Sequence, residues 1–233
     1  MHFIVLTLYP EMFSSFLSCG LLNRAQEEGT IEIETVNFRK HGLGKHHSVD
    51  APPYGGGAGM LLRPEPIIET LEECDRQYPG QSLHKVLISP QGVPYKQEKA
   101  RAFSRIQGPV VLICGRFEGF DERIRHYIDE EISIGDYILM GGEIGAMAII
   151  ESVSRLIPGV VGNEESLDQE SFNRMLLEHD QYTRPFDYRG HKVPEVLLSG
   201  NHQKIKEWCQ TNANQKTRDK RQDLYYCGFP EED

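Results

Sequence analysis

Apolar positions along the chain switch between the two periods that separate strands from helices. Residues 2–8, His-Phe-Ile-Val-Leu-Thr-Leu, are nearly all apolar and predict a first strand. Pro10 follows. Met12 to Ala25 then carries helix-like spacing, and Ile31 to Phe38 alternates as a half-buried strand would. Residues 39–60 keep neither period and hold Gly42, Gly44 and the run Tyr54-Gly-Gly-Gly-Ala-Gly-Met60, so they predict irregular chain. A helix is predicted over 64–78, opening at Pro64.

Next come three apolar runs that each break into a glycine-bearing polar turn. They are Lys85-Val-Leu-Ile-Ser-Pro-Gln-Gly92, Val110-Val-Leu-Ile-Cys-Gly-Arg-Phe-Glu-Gly119 and Ser133-Ile-Gly-Asp-Tyr-Ile-Leu-Met-Gly-Gly-Glu143. Short Val- and Ile-rich runs ending at glycine predict buried strands. Helical stretches are predicted near Gln97–Ile106 and Asp121–Asp129, and Glu143 to Ile157 is apolar at helical spacing until Pro158-Gly159 stops it. Strands alternating with helices predict an α/β domain over 1–160 with a mostly parallel sheet. The polar, acidic stretch 161–171 reads as a linker. Residues 172–233 form a smaller unit, with a helix capped near Ser171 and running through His179, and Trp208 as a core anchor. In open α/β sheets ligands bind at the carboxyl ends of strands. Three such ends with little side-chain bulk predict a pocket walled by backbone, suited to a base or an amino-acid headgroup.

Composition narrows the classes. A chain of 233 residues with 39% hydrophobic and 26% charged content has the make-up of a globular protein with a sizeable core. The opening Met1-His-Phe-Ile-Val-Leu reads as a strand rather than a leader, and no apolar stretch reaches membrane-spanning length. The five cysteines are scattered without a C-x-x-C pair, which predicts reduced thiols and a cytoplasmic location. A net charge of −10 argues against a general nucleic-acid coat. Yet Asn201 to Gln222 holds six basic residues against two acidic ones. That stretch is either a solvated helical face or a local patch for phosphates.

Single motifs carry bland readings beside sharper ones. The Tyr54–Met60 run lacks the Lys-Ser/Thr of a phosphate loop and reads as a turn or a close backbone approach to a ligand. His41, His46, His47 and Asp50 fit no zinc spacing and read as a polar loop. Arg116 and Glu118 read as an ion pair at a strand end. Arg155 at a helix end, and Asp168 and Glu170 near a helix start, are each explained by the helix dipole.

These segments together resemble a known family. Tyr54-Gly-Gly-Gly-x-Gly-Met60, Leu87-Ile-Ser-Pro-Gln-Gly92, Cys114-Gly-Arg-Phe-Glu-Gly-Phe-Asp-Glu-Arg123, Ser133-Ile-Gly-Asp-Tyr137, Gly141-Gly-Glu143, Ser152-Val-Ser-Arg-Leu-Ile-Pro-Gly-Val160, Tyr182-Thr-Arg-Pro185 and Val196-Leu-Leu-Ser-Gly-Asn-His202 resemble, in order, the bacterial tRNA (guanine-N1) methyltransferases that act at guanine 37, beside the anticodon. The resemblance implies the SPOUT class: an α/β sheet with a deep trefoil knot, a homodimer with its site at the subunit interface, and a small, mainly helical tRNA-binding C-terminal domain. It implies S-adenosylmethionine as cofactor. Cofactor contacts would come from Leu87, Ile88, Ser89, Pro90 and Gly92. Gly115, Arg116, Glu118 and Gly119 would form a second group, and Ile134, Gly135, Tyr137, Leu139, Gly141 and Gly142 a third. Arg155 occupies the family's arginine position, where it would stabilise charge on guanine O6. Glu170 aligns with a base that is usually Asp, with Asp168 as second choice. The family also brings Mg2+, for which Glu118 is the candidate ligand. The alternative reading is a non-catalytic RNA-binding module, motivated by Glu at the base position. A phosphate-cleaving or metal-dependent enzyme built on the glycine loop and the histidines is a third.

Overall fold

The computed structural model describes residues 1–162, 170–173 and 175–228. They fall into two compact units, Met1–Gly162 and Asn163–Asp233.

The first unit is built on a five-stranded sheet of β1 (His2–Thr7), β2 (Glu32–Asn37), β5 (His84–Pro94), β6 (Val110–Cys114) and β7 (Glu130–Ser133), in the order β2-β1-β6-β5-β7. Every pairing is parallel. Parallel sheets are covered on both faces, which is why these strands read as continuous apolar runs; β6 is buried at all five positions. Alternate residues divide between two cores. Phe3, Val5, Val86, Ile88, Leu112 and Ile132 pack with Ala146, Ile149 and Val153 of α5 (Glu143–Ser154) and with Ala100 and Phe103 of α4 (Gln97–Phe103). Ile4, Leu6, Leu87, Val111 and Ile113 face the other way, onto Ile67, Leu71 and Cys74 of α3 (Pro64–Gln77). The expected α/β domain with a mostly parallel sheet is therefore present.

Several elements differ from the pattern. The single helix expected over 12–25 is a 3-10 turn (Pro10–Phe13) followed by α1 (Ser14–Leu17) and α2 (Gly20–Glu27), broken where Gly20 takes φ +63. The Asp121–Asp129 stretch is a 3-10 helix over Glu122–Tyr127. Strand β5 does not stop at its glycine turn. Ile88 and Val93 both register on Ile132, so Ser89–Gly92 loop out and the strand resumes to Pro94. Gly92 is needed there, since a β-carbon on it would lie 2.5 Å from the Glu131 carbonyl carbon. The short strands β3 (Asp50–Ala51) and β4 (Leu61–Leu62) pair antiparallel beside the sheet.

In the second unit, β8 (Asp187–Tyr188) and β9 (His191–Lys192) form a hairpin, and α6 (His202–Lys220) is followed by α7 (Gln222–Gly228). Trp208 is half-buried on α6, edge-on to His179 and near Tyr182. The helix expected from Ser171 through His179 is absent among the described residues. Phe172 and Met175 take φ +74 and +57, which a right-handed helix forbids. Side chains satisfy that backbone instead: Leu177 N donates to Thr217 Oγ1 (2.8 Å), Glu178 N to Ser171 Oγ (3.0 Å) and Asp180 N to Asn212 Oδ1 (2.7 Å). No described helix is long and apolar enough to cross a membrane.

Candidate active site

The carboxyl ends of β5, β6 and β7 open onto one cleft of about 350 Å3. That is within the range of small-ligand sites. Its floor and lip come from Ile88, Ser89 and Pro90. One wall is the turn Gly115–Phe120, and the other runs from Ser133 to Gly142. The structure thus brings together the three glycine turns singled out in the sequence. Of the residues expected there, Leu87 and Gly92 do not line the cleft: Leu87 is buried in the sheet and Gly92 is pressed against β7. The same turns also bring Phe117, Ser133, Ile138 and Met140 to the lining, and Phe120 joins them from just beyond the second turn. Phe117 was within view, inside the Cys-Gly-Arg-Phe-Glu-Gly motif. It takes φ +60, a conformation rare for an aromatic residue and associated with functional sites.

Most of the glycines do a different job from the one their bareness suggests. A β-carbon on Gly115 would lie 2.6 Å from the Phe120 ring, and one on Gly142 would lie 2.8 Å from Cys114 Cα. A β-carbon on Gly135 would run into the Tyr137 ring. These glycines let the walls close on their own neighbours. Gly119, at φ +109 with open space at its β-carbon position, is the one that keeps room free on the cleft side.

Two threads hold the 115–121 turn. On one side Glu118 N donates to Met60 O (3.0 Å), Leu62 N to Gly119 O (2.8 Å) and Asp121 N to Leu62 O (3.0 Å). On the other, Gly142 N donates to Gly115 O (2.9 Å), and Arg116 bridges to Gly141. The expected Arg116–Glu118 pair is not formed. Arg116 is ion-paired with Glu143, its Nη2 2.9 Å from Oε2, while Glu118 lies exposed against Gly59. Arg116 has a buried carboxylate within reach at the start of α5, which outcompetes an exposed one.

Beneath the cleft, burial and then the Glu143 carboxylate push the Cys114 thiol well above its ordinary range. Cys114 is therefore a neutral filler and not a nucleophile. The histidines of 41–47 do not gather. His41 hydrogen-bonds Glu73 (2.8 Å), whereas His46 and His47 are exposed in a turn. Among the described residues the grouping with metal-ligand spacing is His2, Glu32 and Glu34, in which Glu34 is already engaged by His2 (2.8 Å) and by the Tyr78 hydroxyl.

The expected acid–base residues lie apart from the cleft's turns in the chain. Arg155 is half-buried at the C-cap of α5, its N–H donating to Glu151 O (3.3 Å). Glu170 belongs to the second unit and is half-buried there, lining a groove with His179, His202 and Lys206. Asp168 lies outside the described residues. Of the basic residues on and after α6, Lys216 pairs with Asp180 (2.8 Å) and Arg221 with Asp223 (2.6 Å), so part of the local positive charge is neutralised within the unit.

A family model described as tRNA (Guanine-1)-methyltransferase TrmD matches residues 1–227. Among curated relatives, the tRNA (guanine-N(1)-)-methyltransferase of Geobacillus kaustophilus is 51% identical over 225 residues, covering 96% of this chain and 91% of the relative. The protein of that name from Anoxybacillus flavithermus is 50% identical over 224 residues, covering 94% and 89%. The Sorangium cellulosum one is 44% identical over 247 residues, covering 97% and 93%. With a family match over nearly its whole length and relatives this similar, the chain belongs to the tRNA (guanine-1)-methyltransferase TrmD family.

Proposed function

We propose that this protein transfers a methyl group from S-adenosylmethionine to N1 of guanine 37 in tRNA, beside the anticodon. The observation that carries the reading is the convergence of three carboxyl-end turns on one cleft in a chain whose relatives bear that activity in their names. The lining fits the methyl donor. Pro90, Phe117, Ile134 and Leu139 offer apolar faces for a purine, backbone groups offer its polar edge hydrogen bonds, and Glu118 supplies an exposed carboxylate whose charge complements the positively charged donor.

When bound, S-adenosylmethionine supplies an electrophilic methyl group whose departure leaves the electron pair on sulfur. The protein's work is on the acceptor. Guanine N1 carries a proton and attacks poorly until that proton is removed. Glu170, or Asp168 in its place, takes it as the N1–carbon bond forms. The negative charge that gathers on O6 is met by the Arg155 guanidinium. Glu170 has one methylene more than the family's usual Asp, and the longer arm must fold to bring its oxygen to the same place.

The finer architecture is part of the same proposal. The family match supports a knotted path of the SPOUT kind through these turns. An exposed apolar run beside the cleft, with Ile138 82% and Met140 90% exposed, supports a homodimer that covers it and completes the site. Residues 161–171 would serve as the linker between a SAM-binding domain (1–160) and a tRNA-binding domain (172–233), in which Lys204, Lys206, Arg218 and Lys220 would meet phosphates. Glu118 fits Mg2+ as a single ligand, since that ion keeps several waters. A cytoplasmic location, where tRNA is processed, follows from the same reading.

The test is incubation with labelled S-adenosylmethionine and two unmodified tRNA transcripts that differ only at position 37. Label should enter the transcript with guanine there and not the one with adenine. Equal labelling of both would refute the assignment.

A further inference from the structure

Glu143 is a carboxylate only 1% exposed, and neither the acid–base pair nor the cofactor reading uses it. Its Oε1 accepts from Thr7 Oγ1 at 2.8 Å and from Arg116 Nε at 3.1 Å, and its Oε2 lies 2.9 Å from Arg116 Nη2. Thr7 Oγ1 in turn accepts from Tyr9 N at 3.0 Å. Arg116 spends its remaining reach on protein as well. Nη1 points to Met140 O (3.4 Å), Nη2 to Met12 Sδ (3.1 Å), and the guanidinium carbon sits 4.4 Å from the centre of the Tyr9 ring.

A first-turn glutamate is favoured by the helix dipole, but that attraction acts equally on an exposed side chain. Burial needs another cause, because a buried carboxylate is retained only when its partners compensate for lost water. Here the partners are chosen from three different strand ends: Thr7 at the end of β1, Arg116 after β6, and through it Met140 in the turn after β7. The sequence makes room for the arrangement. A β-carbon on Gly141 would lie 2.5 Å from Glu143 Oε2 and 2.7 Å from Arg116 Cδ, so only glycine lets the pair close beneath the turn.

We propose that Glu143 is a positioning residue. Acting through Arg116, it clamps the 115–119 wall to the 137–142 wall and anchors both to the end of β1, which fixes the width of the cleft for the methyl donor. Arg116 is then a tie within the protein rather than a cation reserved for the ligand. The inference rests on the reading of that cleft as the methyl-donor site.

The experiment compares unaltered protein with Glu143→Gln, Glu143→Asp and Thr7→Val. Calorimetry gives the Kd for S-adenosylmethionine, and steady-state rates at saturating tRNA separate KM from kcat. Glu143→Gln, isosteric but uncharged, should raise Kd and KM for the donor at least about tenfold while kcat at saturation changes far less. Thr7→Val should move the same constants in the same direction by a smaller factor. Glu143→Asp should recover part of the affinity. A purely structural ion pair would lower the melting temperature and leave Kd and KM of the folded fraction unchanged; that result overturns the proposal. So does an unchanged Kd in Thr7→Val should Glu143→Gln fail to fold. If the unaltered protein binds no S-adenosylmethionine, the cofactor reading falls and takes the positioning role with it. Normal binding by the unaltered protein and all variants overturns the positioning role alone.

Discussion

Gly59 and Glu118 share one space: a β-carbon on Gly59 would come within 2.7 Å of the Glu118 carboxyl carbon. Gly59 also holds φ +86, and Gly56 in the same loop holds φ +80 with nothing near its β-carbon position. Gly59→Ala and Gly56→Ala should therefore each lose about 1 kcal/mol of stability from backbone strain. Gly59→Ala should in addition lower kcat/KM about tenfold, because Glu118 is pushed off the cleft rim. Thermal denaturation and initial rates on the two variants check this, and equal rates would mean that the position of Glu118 is immaterial.

Replacing Glu170 with Gln removes the proposed proton acceptor while keeping its shape. Methyl transfer at saturation should fall by about a hundredfold or more. Glu170→Asp, which restores the family's usual side chain, should retain most of the rate. Single-turnover transfer measures both. A fully active Glu170→Gln would move the role to Asp168.

Arg155→Ala should lower kcat by about 10²–10³ with the Kd for S-adenosylmethionine unchanged, and Arg155→Lys should recover part of the loss. Arg155 also caps α5, so a stability loss of about 0.5 kcal/mol is expected alongside. Lower stability with a normal rate would leave it only the helix-end role.

Stability should depend on Glu130 in acid. Burial pushes its carboxyl up, but Lys99 (2.6 Å) and His84 (2.5 Å) outweigh burial and hold it below the ordinary value. A carboxylate held low in the fold contributes stability above its unfolded pKa of about 4.3, and that contribution is lost as pH falls through the folded value. Urea midpoints should drop below about pH 4. In Glu130→Gln they should be lower near neutrality and flatter between about pH 5 and 3. Parallel curves for the two proteins would contradict the coupling.

The strand ends were legible because a fully buried strand leaves an unmistakable apolar run, and glycine marks where it turns. What those glycines accommodate was not. Gly115 and Gly135 make room for the rings of Phe120 and Tyr137, which fold back from five and two residues further along the chain. Arg116 pairs otherwise than its sequence neighbourhood suggests because Glu118 is near along the chain, whereas Glu143 is near only in space. The helix expected after Ser171 failed because Thr217 and Asn212 on α6 satisfy that backbone in a non-helical form. The resumption of β5 at Val93 depends on a register with Ile132 that only the folded sheet reveals.

The most direct measurement is the identity of the product. Unmodified tRNA incubated with the protein and S-adenosylmethionine, then digested to nucleosides and fragments for mass spectrometry, should yield one N1-methylguanosine, mapped to position 37. A methyl group on another atom or at another position, or tRNA returned unchanged, would contradict the account.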